Sequence, residues 1–66
     1  MEQDKVHILA EKIEDLKRDK DVLEFKRKRA LYADHLMDAD QYEWERDEVQ
    51  AEIDKLRKEL QTLLTE

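Results

Sequence analysis

The sequence predicts an all-α fold: an antiparallel two-helix hairpin that dimerises into a four-helix bundle. Three observations predict it. The 66 residues are rich in the strong helix formers Glu, Lys, Leu, Arg, Ala and Gln. They include no Gly and no Pro, the residues most used for tight turns and strand punctuation. And the apolar residues recur at alternating spacings of three and four, the period of a coiled-coil seam. A chain that is 48% charged also fits the composition of a disordered segment. Disorder gives no reason for that period to be kept.

The first helix is expected over about residues 3–34. Its seam is Val6, Leu9, Ile13, Leu16, Leu23, Ala30 and Met37, with Lys20, Arg27 and Asp34 as polar members. The second helix is expected over about 39–64, with a seam of Tyr42, Val49, Ile53, Leu56, Leu60 and Leu63 and Arg46 filling the one gap. The two seams do not share a register, so one continuous helix would rotate its apolar face on crossing residues 35–41. A reversal there lets the seams face each other. Asp38 with Gln41 three residues on forms a capping box for the new helix. Glu43, Glu45, Asp47 and Glu48 then load its first turns with the negative charge that the helix dipole favours. The turn is accordingly expected at about 35–38. A rival arrangement uses Phe25, Tyr32, His35, Ala39, Tyr42 and Arg46, also at heptad spacing, as one stripe of a single long helix.

The stretch Leu31-Tyr-Ala-Asp-His-Leu-Met-Asp-Ala-Asp-Gln-Tyr42, with the Glu-rich heptads that follow it, resembles the coiled-coil hairpin of large serine recombinases. In that family the hairpin decorates a zinc-ribbon domain and its turn often reads Tyr-Ala-Asp-Gly. The resemblance implies a hairpin acting through subunit contacts. His35 stands where the family usually has Gly, and the resemblance makes it the residue with positive φ. The chain has no zinc-binding cysteines and no recombinase catalytic domain. The Asp-Ala-Asp turn is also similar to that of a small plasmid copy-control protein that forms a four-helix bundle.

In a hairpin turning near residue 38, residues whose numbers sum to about 78 oppose one another. Leu16 then meets Leu63, Leu23 meets Leu56, Lys26 lies near Glu52 and Arg29 near Glu48. Two features predict self-association. Residues up to about Ala10 overhang the second helix, leaving Val6, Ile8 and Leu9 without an intrachain partner. Val22, Phe25, Tyr32 and Leu36 also fall away from the first seam and Trp44 from the second, and with Tyr42 near the turn they are the candidate partner or dimer interface. Two helices make a thin core, and a chain this short needs a staple or an oligomer.

The same inventory excludes much chemistry. With no Cys there is no disulfide, thiolate nucleophile or cysteine-bound metal. There is no Ser, and Thr62 and Thr65 supply the aliphatic hydroxyls at one end of the chain. No enzyme activity, cofactor or metal is expected. His7 lies between Asp4 and Glu11 on one helix face, a carboxylate-x-x-His spacing used in di-metal bundles, yet the sequence contains it once. The one basic run, Lys26-Arg27-Lys28-Arg29, points in four directions on a helix within a chain of net charge −6, so direct nucleic-acid binding is not expected. The longest apolar run, Ala30 to Ala33, is far too short to span a membrane, and a cytoplasmic location is expected. The expected function is a non-enzymatic, self-associating protein–protein interaction module. A recombinase subunit-contact module and a small acidic inhibitor mimicking nucleic-acid charge are the alternatives.

Overall fold

The structure, a computed structural model, describes residues 2–65, with side chains from residue 4 onward. Helix α1 runs Glu2–Tyr32 and helix α2 runs Leu36–Thr65. They fold back on each other as an antiparallel hairpin with Cα extents of 49 × 14 × 11 Å. The long dimension is that of one helix, about 46 Å at 1.5 Å rise per residue. The single-helix arrangement is therefore excluded.

The reversal is tighter and earlier than the capping-box reading placed it. Asp34, not His35, takes the left-handed conformation, with φ 58°. Around it the amide of Asp34 donates to the carbonyl of Leu31 at 3.2 Å, and that of His35 to Ala30 at 2.8 Å. These two bonds are the Schellman closure of α1, with Asp34 in the place usually taken by Gly. Asp tolerates this region better than most residues because its short polar side chain bonds locally. The carbonyl of His35 accepts from the amide of Ala39 at 3.0 Å, so His35 is the N-cap of α2. Asp38 is thereby the third residue of the helix rather than its cap, and its carboxylate lies 3.8 Å from His35 Nδ1. Met37, expected in the first seam, lies past the turn and is 87% exposed.

The core sits toward the open end. Ile13, Ile53 and Leu56 are buried, and Leu9, Leu16, Val49 and Leu60 pack around them. Ile53 alone is fully buried among the described side chains. Nearer the turn Ala30 and Ala39 are buried, and their small side chains let the two backbones converge on a three-residue connection. Ala39 belongs to the α2 seam, although its spacing first assigned it to the rival single-helix stripe.

The interhelical register differs from the expected one. Lys20 bonds Gln50 and Glu24 bonds Arg46, so opposing residues sum to about 70 rather than 78, a slip of about two helical turns. Leu16 consequently borders Glu52 and Leu56 instead of meeting Leu63. Lys26 sits with its ammonium 6.0 Å from the Tyr42 ring instead of beside Glu52, and Arg29 lies 5.8 Å from Phe25 instead of beside Glu48. The expected overhang also disappears. Leu9 packs on the core and shares a groove with Thr62 and Leu63, and Val6 is half-buried.

Candidate interaction surface

The seam changes character along its length. The apolar open end gives way to a polar zone before the turn. Lys20 Nζ donates to Gln50 Oε1 at 2.6 Å, and Gln50 in turn donates to Asp54 Oδ1 at 2.9 Å. One turn on, Arg46 bridges the helices by donating to Glu24 and holds Asp47 at 2.9 Å with its other nitrogen. Arg27 donates to the second oxygen of Glu24 at 3.3 Å, while its Nε is buried without an acceptor. The hydrogen bond from Arg46 lowers the Glu24 carboxyl below its ordinary value, outweighing the opposing effect of burial. Glu24 and Asp47 raise the Arg46 guanidinium further, so both partners are charged at neutral pH.

Of the four polar seam positions that the sequence marked, Lys20, Arg27 and Arg46 are thus joined to this polar zone, and Asp34 lies in the turn. Their partners Gln50 and Glu24 flank the seam on the same side. The residue types that pair them were visible in the sequence, but the pairing depends on a register that was not.

The six residues expected to form an interface lie on several surfaces rather than one. Phe25 and Tyr32 face outward on α1, 61% and 92% exposed. Trp44, 58% exposed, faces outward on α2. Each outward position lies about 200° around its helix from a seam residue two places before it, so the two faces point in opposite directions. Leu36 is exposed at the turn, beside exposed Leu31 and Met37, which sequence reading left out. Val22 lines the interhelical groove with Leu23, Lys26 and Val49. Tyr42 is half-buried in the α2 seam. Ile8 and Leu64, also exposed, lie near the open end.

Other candidates have local partners. His7 Nε2 lies 3.1 Å from Glu11 Oε1 on the surface. Among the described residues no three His, Cys, Asp or Glu side chains are grouped to hold a metal ion. The basic run is dispersed: Lys26 over Tyr42, Arg27 on Glu24, Lys28 beside Leu31 and Tyr32, and Arg29 against Phe25. Thr62 and Thr65 donate to helix carbonyls one turn back, at 3.0 Å each. No described helix is long and apolar enough to cross a membrane. No protein-family profile, no curated protein and no solved structure matches the chain.

Proposed function

We propose that this chain is a non-enzymatic protein–protein interaction module, and that the partner it serves includes a second copy of itself in a four-helix bundle. The observation that carries the reading is apolar surface left unburied. Nine large hydrophobic side chains are at least 42% exposed, against five buried hydrophobic residues of which two are alanines. The accessible surface is 5472 Å², whereas a compact monomer of 8.1 kDa exposes about 4,500 Å². The surplus of about 1,000 Å² exceeds the roughly 800 Å² that each partner contributes to a standard interface. Sedimentation equilibrium over a concentration series tests the reading. The expected mass rises from 8.1 kDa to about twice that value. A species that stays at the monomer mass throughout contradicts it.

A second reading follows from the turn. The chain reverses within the Leu31–Tyr42 stretch that resembles the hairpin of large serine recombinases, with Asp34 rather than His35 as its left-handed residue, and the resemblance implies a subunit-contact module of such an enzyme. A parent gene that encodes this hairpin with no recombinase sequence around it removes that reading.

A further inference from the structure

The two broad faces of the hairpin differ. On one face lie the interhelical polar bonds, from Lys20 to Gln50 and from Arg46 to Glu24. The other face carries neither of these bonds. That second face is an open groove along the hairpin. It runs from Ile8, Leu9 and Leu63 at the open end, past Leu16 and Leu56, to Val22 and Val49 near the turn. Ile8 and Val22 are each 51% exposed on it.

The charges along its two edges lean to opposite signs. The α1 edge carries Lys5, Lys12 and Lys26 together with Asp15 and Asp19. The α2 edge carries Glu45, Glu48, Glu52 and Glu59 together with Lys58. The whole helices follow this division: α1 has nine Lys and Arg against eight Asp and Glu, and α2 has four against nine. Two copies that meet on this face have two ways to do so. With the turns at opposite ends, basic edge lies on basic edge and acidic edge on acidic edge. With the turns at the same end, each α1 lies along the α2 of the other copy. Lys12 and Lys26 then reach the levels of Glu59 and Glu45 across the interface, while Asp19 lies level with Glu52 and Lys58 with Lys12.

Resting on the self-association reading above, we infer that a second copy docks on this groove with both turns at the same end, α1 of each copy packed on α2 of the other. The apolar groove supplies the burial and the opposite net charges of the edges select the orientation. The arrangement is closed and two-fold, and it leaves Phe25, Tyr32 and Trp44 outside for a further partner. It also gathers Leu31, Tyr32, Leu36 and Met37 of both copies at one end of the bundle.

Interspin distances in the otherwise cysteine-free chain test the orientation, with nitroxides on Met37→Cys near the turn and, in a separate sample, on Gln61→Cys near the open end. Both sites are exposed. With the turns together, each label sees its copy within about 25 Å, a diagonal of two interhelical spacings plus the label arms. With the turns apart, each sees it at about 40 Å or more, a helix length away. Sedimentation on the same samples separates the two claims. A dimer with long distances overturns this orientation and leaves self-association standing. A monomer at every concentration removes both.

Discussion

Glu24 of α1 accepts hydrogen bonds from Arg46 of α2 and from Arg27 of its own helix, and so ties two seam arginines to one carboxylate. The Arg46 bond lies one helical turn from that between Lys20 and Gln50, and the two together mark a single register. Polar pairs in a seam cost desolvation, and their best-attested use is to select register rather than to add stability. We predict that Glu24→Ala lowers the thermal midpoint by several degrees by leaving Arg46 without its cross-helix partner. Replacing both Glu24 and Arg46 with Leu restores the midpoint, because well-packed apolar residues match or exceed a partly buried ion pair in stability. Circular dichroism melts of the single and double variants check the order. A double variant no more stable than Glu24→Ala contradicts it.

The same carboxylate gives a pH dependence of known sign. The Arg46 hydrogen bond depresses the Glu24 pKa below 4.5 in the folded chain. Its contribution to stability is therefore complete above the unfolded value and is lost as pH falls through the folded one. Wild type and Glu24→Gln should differ most above pH 4.5, and the difference should shrink toward lower pH. Urea unfolding of both chains across this range measures it. A difference that grows on acidification has the wrong sign for this mechanism.

Ile53 is the one fully buried side chain among the described residues, packed with Ile13 and Leu56. Truncation to Ala should cost about 2–5 kcal/mol. A domain has only about 5–15 kcal/mol in total, so the variant should lose much of its helicity at room temperature. Leu64→Ala, at a position 67% exposed, should change stability by no more than about 0.5 kcal/mol. Equal losses in the two variants would mean that Ile53 is not the centre of the core.

Asp34 holds a positive φ that costs a residue with a Cβ about 1–2 kcal/mol. Asp34→Gly should therefore stabilise the hairpin by up to about 1 kcal/mol, and Asp34→Val should destabilise it by a similar amount. Denaturant unfolding of the two variants decides. Stabilisation by Val would place the left-handed residue elsewhere.

The seams were legible because heptad spacing needs no knowledge of the turn. Leu9, Ile13, Leu16, Val49, Ile53, Leu56 and Leu60 form the observed core at the positions that the spacing assigned. The register was not legible, because it depends on where the chain reverses. Asp38 and Gln41 offered a well-formed capping signal, yet the backbone of His35 caps α2 and Asp38 falls three residues inside it. The reversal is set by the closure of α1 on Asp34 and by the two alanines that let the helices approach, signals weaker than a Gly would have been. That early turn moved α2 along α1 and brought Leu9 into contact with it. It also determined which face keeps an unfilled groove. The exposed residues were visible as leftovers from the seams, but their separation onto opposite faces follows from the paired geometry of the two helices.

The proposed self-association follows from a hairpin that leaves nine large hydrophobic side chains exposed. The concentration dependence of thermal unfolding tests this most directly, because a form that buries its surplus apolar surface against a second copy is stabilised by mass action. Melts monitored by circular dichroism from about 1 µM to about 1 mM should show the midpoint rising steadily with concentration. A midpoint that does not move across that range would contradict the account.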